Sequence, residues 1–575
     1  MRYFFLTFLT LSLATVMSAQ PVLVHTHDMM NRRPVENYSH LGQEKWSSLE
    51  PIHSHDTLIP TMSILPYDLP EEQRKPFYPR IKALRDGRYI MFWQGGQTSS
   101  RVYYAHSTDL LHWGAPVRMY GPHQVQVENH KPYRRYMTSD AIVLKTGEIV
   151  NVTSFRSDMY DSGKGCGIMI CRSRYNGDEW NNKAVIYEGP NWEPYLLELP
   201  DGTLQCYFTD AKPQTANSGT SMIESYDGGY TWTKKKRVCR QYKYYHKEER
   251  IYTDQMPSFR VLADGKTVFG FLEARLEEQG YGTGSSFAMS LVYNDAYNWE
   301  NLTGDKEGPS ERKTNAFTGS AGYVSVFPSG EVVISCGIGR LLSLKVGDGM
   351  AQEFNGKNWE SDWLCPFTRK GLWGSTEVID PHHIAWTMEC DEGIQIGVGY
   401  LNHTIEAQQQ SVVIDGDAAE WEATDALFIG SDSPVETVFR ASYDENNLYI
   451  STESVDDATG AVVNLMVHNT SAKKLSAGSS LSLTLNASGL VAVDGYQKSA
   501  TVEGVEVKVK VKEGRTTSGR SGFVAETVIP LSALGVSQGE TLAFCAEVTT
   551  STGVKDTFFG VNKSKPDTWQ RIYLK

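Results

Sequence analysis

The sequence predicts an all-β chain, a six-bladed β-propeller followed by an antiparallel β-sandwich. Three observations carry this. A hairpin pattern recurs six times between residues 76 and 405, short turns closing on a tryptophan recur between the copies, and composition changes abruptly near residue 410. Fixed-period repeats are the signature of an architecture that stacks one supersecondary unit on the next.

The hairpin copies are "IKALRDGRYIMFW", "AIVLKTGEIVNVTSF", "YLLELPDGTLQCYF", "SFRVLADGKTVFGFLE" and "YVSVFPSGEVVISC". Each alternates apolar residues around a short glycine turn, as an antiparallel hairpin does. The turn glycines are Gly87, Gly147, Gly202, Gly265 and Gly330, 55 to 65 residues apart. A sixth copy, "STEVIDPHHIAWTM", places Pro381 and His382 in its turn. Six hairpins with interleaved outer strands make six four-stranded units.

The interleaved turns are "HSTDLLHW", "SRYNGDEW", "SYDGGYTW", "YNDAYNW" and, most degenerate, "FNGKNW". "SYDGGYTW" (residues 225–232) combines aromatics, an acid and hydroxyls, which suits either a sugar site or a turn. The turn is the better account: Asp and Ser side chains bond their own backbone, Gly supplies positive φ, and the Trp wedges between strands.

The 575 residues exceed one ordinary domain, and a hydrophobic fraction of 40% with 11% aromatics supports a packed core. A net charge of -13 disfavours nucleic acid and anionic membrane surfaces, which are held by clustered Lys and Arg. Residues 1–19 read as a cleaved secretory signal with no cysteine after the apolar run, so a secreted or periplasmic protein without a lipid anchor or membrane span is expected. Most of the eight cysteines lie inside apolar runs and are expected free and buried. Residues 20–75 carry no clear periodicity and read as a lead-in wrapping the first blade.

Chemistry in a propeller belongs at one mouth of the central channel. In an antiparallel hairpin the start of the first strand and the end of the second share one edge. Counting from the turn glycines places Arg80, Asp140, Tyr195, Ser258 and Tyr323 seven residues before the turn and Glu193 nine before it. Asp210 and Glu273 stand eight residues after it. Four carboxyls, Asp140, Glu193, Asp210 and Glu273, would then crowd one pocket with Arg80 as the chief base, and at least one should titrate high.

"SYDGGYTW" resembles the Asp box of sialidase-like propellers, where the box lies at the rim and away from the active site. "YPRIKALRDG" resembles the opening of that superfamily, with Arg80 in its first-blade arginine position. "NWEPYLLELPDGTLQCYFTD", "DQMPSFRVLADGKTVFGFLE" and "SAGYVSVFPSGEVVIS" resemble more specifically the exo-arabinanases of glycoside hydrolase family 93. The resemblance spans roughly residues 75–400. It implies an exo-acting, retaining hydrolase of a neutral sugar such as arabinose, needing no cofactor or metal. It implies two catalytic glutamates, Glu193 and Glu273, with Arg80 as the first-blade arginine; Arg80, Asp140, Asp210 and Tyr323 at the hairpin edge, and Trp192 beside Glu193, are the expected substrate contacts. Spacing does not assign the two roles; the expectation taken is Glu193 as nucleophile and Glu273 as acid/base. A retaining site needs its carboxyls about 5–5.5 Å apart.

Two rival readings stand beside this one. An exo-sialidase would clamp a sugar carboxylate with three arginines and attack with a Tyr–Glu pair. Arg80 supplies one arginine, and Arg156, Arg275 and Arg340 lie near strand ends, but Asp210 would repel that carboxylate. The other is a non-catalytic glycan-binding propeller. The pairs at His25 and His27, His53 and His55, and His382 and His383 lack a carboxylate or cysteine at ligand spacing and read as loop histidines.

Eleven of the thirteen tryptophans precede residue 410. The tail, residues 410–575, alternates Val, Ala, Ser and Thr as in "GVEVKVKVK", an antiparallel sandwich pattern. "VVIDGDAAEWEATDALFIG", "FRASYDENNLYISTESVDD" and "KPDTWQRIYLK" resemble the family 9 carbohydrate-binding modules, which stack aromatics on sugars. Trp421 and Trp569 are the only tryptophans there for that task. A monomer acting on an oligo- or polysaccharide is expected; linkage and the tail's role in binding stay open.

Overall fold

The computed structural model describes residues 47–575 except 61–74, 97–100, 211–218, 246–247, 263, 277–286, 304–311, 329–330, 339–340, 348–358, 365–368, 370, 418, 422–423, 431–434, 456–460, 477, 496–507, 516–520 and 559–560. The signal segment, His25, His27 and Arg340 lie outside the described residues, as do the side chains of His53, His55 and Arg275. The chain is all-β, with short helical turns such as Leu531–Leu534.

Five antiparallel sheets form a propeller-like arrangement between Ser47 and His403. Each contains hairpins read from the sequence: Pro76–Ala83 with Tyr89–Gly95, Tyr133–Val143 with Ile149–Ser157, and Trp192–Glu198 with Leu204–Asp210. The remaining three are Glu248–Val261 with Thr267–Leu276, Arg312–Val326 with Val332–Ile338, and Gly371–Val378 with His383–Cys390. Turn glycines Gly87, Gly147, Gly202 and Gly265 have φ of 87°, 85°, 90° and 67°, the left-handed region their turns require.

Two hairpins share one eight-stranded sheet because Arg312–Val326 serves twice. Its first part pairs with Phe287–Asp295 and its second, from Ser320, with Val332–Ile338. The strand Ser47–Pro60 pairs antiparallel with Gly393–His403, so the segment before the first hairpin completes the last sheet. This corrects the expectation that the lead-in wraps the first blade. Buried clusters run between successive sheets, and one joins Ile81, Met91 and Trp93 of the first hairpin to Ala385, Ile396 and Val398 of the last sheet. The ring closes through apolar packing.

Two of the tryptophan turns close on themselves. Ser225 Oγ accepts Gly229 N–H at 2.7 Å and Asp227 accepts the Tyr230 and Thr231 N–H groups at 2.9 Å, while Trp232 Nε1 donates to Gly229 O at 3.0 Å. Ser107, Asp109 and Trp113 repeat the pattern. Ser225, Asp227, Thr231 and Trp232 of "SYDGGYTW" are thus engaged in their own turn. The seven described cysteines are free and buried.

The C-terminal part is one barrel-like sheet. Its two antiparallel layers are joined by Ile405–Gln409, which runs parallel to both Gln570–Leu574 and Glu436–Tyr443. This sheet packs on the last propeller sheet. Ala426, Phe428 and Val438 share a core with Tyr400 and Trp93, and Asn402 exchanges two hydrogen bonds with the Phe428 backbone, at 2.8 and 2.9 Å. His382 lies there too, its Nε2 3.2 Å from Asp425, and His383 Nδ1 is 2.7 Å from Asp380. The histidine pair is junction structure. Trp421 and Trp569 are fully buried, with their indole N–H groups donated to Glu526 and the Asn562 carbonyl.

Candidate functional site

The six inner strands carry a common irregularity. Tyr78, Thr138, Glu193, Met256, Ala321 and Trp373 have φ of 53°, 47°, 42°, 49°, 50° and 49°. Each stands nine residues before its turn glycine, or before His382 in the sixth hairpin. Each marks a register shift in its hairpin. A left-handed non-glycine residue costs about 1–2 kcal/mol, so six in register imply support from the surroundings.

For four of the six, that support comes from the neighbouring hairpin. Gln94 accepts Thr138 N–H at 2.9 Å, Thr209 accepts Met256 N–H at 3.0 Å, Glu273 accepts Ala321 N–H at 2.7 Å, and Glu389 accepts Tyr78 N–H at 3.2 Å. All four acceptors hold the same place, opposite the residue that precedes the bulge in their own hairpin. A belt of side chain to backbone bonds thus holds the bulges against one another and re-aims their side chains.

Arg80, Asp140, Glu193, Tyr195, Met256 and Tyr323 line a cavity at this belt, with Thr138 and Ser139. Glu193 Oε2 accepts Thr209 Oγ1–H at 2.8 Å and Oε1 lies 3.5 Å from Tyr78 OH. Burial pushes the Glu193 carboxyl up to about 7; Thr209 opposes, Glu273 adds to the rise, and Arg156 and Arg80 oppose. Such a group exchanges a proton near neutrality, as general acid–base chemistry requires. Tyr78, in the middle, is raised well above the usual phenol range by burial and by Glu193, Glu389 and Glu273.

Three of the lining residues, Arg80, Asp140 and Tyr323, belong to a charge network with Lys82. Asp140 accepts Tyr323 OH at 3.0 Å and stands 3.5 Å from Lys82 Nζ, which also reaches Tyr323 OH at 3.0 Å and Glu377 at 3.5 Å. Burial disfavours the Lys82 charge, but Asp140 and Glu377 outweigh it and hold the ammonium above its ordinary range. Arg80 Nη1 donates to the carbonyls of Pro79, Trp373 and Gly374 at 2.9, 2.9 and 3.0 Å, and Nε is 3.9 Å from Asp140. Its head group joins the first hairpin to the sixth.

The structure therefore brings Arg80, Asp140, Glu193 and Tyr323 to one cavity. Glu273 stands in the belt behind it, both oxygens engaged, by Ala321 N–H and by Gln255 Nε2 at 2.7 Å. Trp192 is beside Glu193, its ring 3.0 Å from the Arg156 guanidinium carbon. Asp210 is not among the cavity-lining residues. It bonds Ser221 of the next strand at 2.8 Å and pairs with Lys235 and Arg237, before and on the outer strand, at 2.8 and 2.9 Å. The expected cluster of four carboxyls is thus corrected: Asp140 and Glu193 line the cavity, Glu273 stands behind it and Asp210 points to the outer strands.

The cause is one residue of turn length. Leu199 N–H bonds Thr203 O four residues on, whereas Leu262 N–H bonds Thr267 O five residues on. Eight residues past the glycine therefore reaches the belt at Glu273 but overshoots it at Asp210, and a one-residue slip reverses the face. Thr209 is the true counterpart. Sequence reasoning also missed Tyr78, Lys82, Thr138, Met256 and Trp373. Applying the nine-residue offset to every turn glycine, as for Glu193, finds Tyr78, Thr138 and Met256 but neither Lys82 nor Trp373, whose hairpin has no turn glycine.

Neither a protein-family model nor a curated protein matches the chain. Among solved structures it is similar to the Fusarium graminearum GH93 α-L-arabinofuranosidase in complex with arabinobiose, with 16% identity, a TM-score of 0.44, and 62% of this chain and 98% of that one covered. It is similar to the Penicillium chrysogenum α-L-arabinanase complexed with arabinobiose, at 16% identity, a TM-score of 0.42 and the same coverage. A family 9 carbohydrate-binding module from Caldicellulosiruptor kristjanssonii in complex with cellotriose is similar at 17% identity and a TM-score of 0.25, over 30% of this chain and 93% of that one.

Proposed function

We propose that the chain is an exported glycoside hydrolase that removes terminal neutral sugars, arabinose among them, from a glycan. Its catalytic part is a six-bladed propeller, the eight-stranded sheet counting as two blades that share Arg312–Val326. The observation that carries the reading is Glu193, a carboxyl raised to about 7 on a cavity wall, with Glu273 close enough to contribute to that rise.

The two glutamates divide the work in the opposite sense to the sequence expectation. Glu193, protonated in part at neutral pH, delivers its proton to the departing glycosidic oxygen. Glu273 receives two N–H donors, the pattern that suits a carboxylate, and attacks the anomeric carbon. Water then resolves the glycosyl-enzyme, with Glu193 taking back the proton.

A neutral substrate is favoured over a sialoside because Arg80 Nη1 already serves three backbone carbonyls. Hydrolysis of a panel of neutral glycosides and sialosides by the purified protein tests this. Release of a neutral sugar that Glu193→Gln reduces by at least 1000-fold is expected. Release of sialic acid abolished by Arg80→Ala, or glycan binding without any turnover, would replace the proposal.

A further inference from the structure

We infer that Trp373, backed by Tyr78, is a stacking platform for the substrate's sugar ring beside the cavity and sets a preference for a sugar with an apolar face. The inference rests on the proposed glycosidase reading.

The six left-handed belt residues occupy equivalent positions, so their exposure can be compared directly. Tyr78, Thr138, Met256 and Ala321 are buried, at 8%, 3%, 6% and 1% exposure. Glu193 and Trp373 alone among the six are partly exposed. One is the carboxyl of the proposed chemistry and the other an indole. In a ring of six blades the third and sixth stand opposite, which places these two across the mouth from each other.

Tyr78 connects them. Its ring lies against Trp373 at a centroid distance of 4.9 Å and an interplanar angle of 14°, and its hydroxyl reaches to 3.5 Å from Glu193 Oε1. Phe77 packs on Trp373 at 5.7 Å, and Leu372, Met256 and Ala321 complete the apolar group. Arg80 holds the Trp373 carbonyl, fixing the backbone that carries the indole. The mouth is thus apolar on one side and acidic on the other.

A partly exposed tryptophan fixed by packing offers a flat π-surface with little ordering cost on binding. Sugar C–H groups suit that surface, while hydroxyls and the glycosidic oxygen are left to the polar side, where Glu193 stands. A ring seated on Trp373 would direct its scissile bond across the mouth. The indole contributes binding and position, not chemistry.

The test compares Trp373→Ala, Trp373→Phe and wild type for hydrolysis of linear arabino-oligosaccharides, beside a panel of other neutral glycosides. Binding is followed separately by intrinsic fluorescence in a Glu193→Gln background. Trp373→Ala should raise KM at least tenfold with a smaller loss in kcat, and Trp373→Phe should recover most of it with an unchanged melting temperature. The Glu193→Gln protein should show a saturable fluorescence change with arabinotriose that Trp373→Ala abolishes. Activity in wild type with unchanged KM in Trp373→Ala and Trp373→Phe would overturn the platform and leave the glycosidase standing. Absence of turnover and of fluorescence change in every glycan would overturn both.

Discussion

Thr209 stands between Glu193 and Met256: its hydroxyl donates at 2.8 Å to Glu193 Oε2, and its oxygen accepts Met256 N–H at 3.0 Å. One side chain thus joins the third hairpin's carboxyl to the fourth hairpin's bulge. The bond to Glu193 favours the ionised carboxylate and opposes the rise that burial causes.

Thr209→Val removes both bonds at nearly constant shape. Glu193 then loses a stabiliser of its charged form, so its pKa rises further. Because the acid acts protonated, the basic limb of the pH–rate profile should move up by about 0.5–1 unit. The unpaired Met256 N–H should also cost about 1–3 kcal/mol of stability, visible in a denaturant melt. A profile that stays in place would detach Thr209 from Glu193.

The belt also frames a test of Glu273. Gln94, Thr209 and Glu389 hold the equivalent place and accept a neighbour's N–H, so Glu273 has a scaffold duty apart from any chemistry. Glu273→Gln keeps a carbonyl oxygen for Ala321 N–H and removes the charge; its new NH2 faces Gln255, whose amide must flip to accept from it. Turnover should fall by at least about 1000-fold while the melt stays near wild type. Near-normal turnover in this variant would mean that the scaffold duty is the whole role.

The hairpins, the turn glycines and the tryptophan turns were legible in the sequence because each is local. Period-2 alternation fixes a strand pair, and positive φ fixes its glycine. The belt was only half legible. Glu193 was found at the nine-residue offset, but Trp373 at the same offset in the sixth hairpin was hidden, since "HH" replaces the glycine there. Asp210 was misplaced because one extra residue in the fourth turn cannot be seen without the pairing of Leu262 and Thr267. Lys82 lies two residues beyond Arg80 on the same strand face and signals itself only once that face is known to point inward. Nothing in composition foretold that residues 47–60 complete the last sheet, because strand pairing across some 350 residues leaves no local mark.

The junction between the propeller-like part and the C-terminal sheet predicts the outcome of truncation. Tyr400, stacked on Phe428 at 5.0 Å, would be uncovered together with Asn402, whose amide serves the Phe428 backbone. A chain ending at residue 404 should therefore lose solubility or melt several degrees lower, even though the cavity lies in the part retained. A soluble truncated protein with an unchanged melt would show that the two parts are independent.

The C-terminal tryptophans carry a prediction of their own. Trp421 and Trp569 are buried and their N–H groups are satisfied, so neither offers a face to a sugar. Cellotriose or arabinotriose should leave their fluorescence unchanged in the Trp373→Ala protein. Trp421→Phe should instead destabilise, because the Glu526 oxygen that accepts the indole N–H would lose that donor. Saturable quenching in that background would return sugar binding to the tail.

Glu193 makes stability depend on pH in a definite sense. Its folded pKa of about 7 lies above the ordinary value of 4.5. Below pH 4.5 the carboxyl is protonated in both states and burial exacts nothing for charge. Between 4.5 and 7 the unfolded chain ionises while the folded one holds its proton, so stability falls as pH rises, and the loss is complete above 7. The group is partly exposed, so solvent screening reduces the effect to about 1–2 kcal/mol. Glu193→Gln keeps an acceptor for Thr209 and cannot ionise. It should therefore melt close to wild type at pH 4.5 and above it at pH 8, by about 1–3 °C. That gain, appearing in a variant that has lost turnover, is the mark of a carboxyl kept for chemistry at a cost to the fold. Parallel melting curves for the two proteins across this range would refute the assignment of the raised pKa to Glu193.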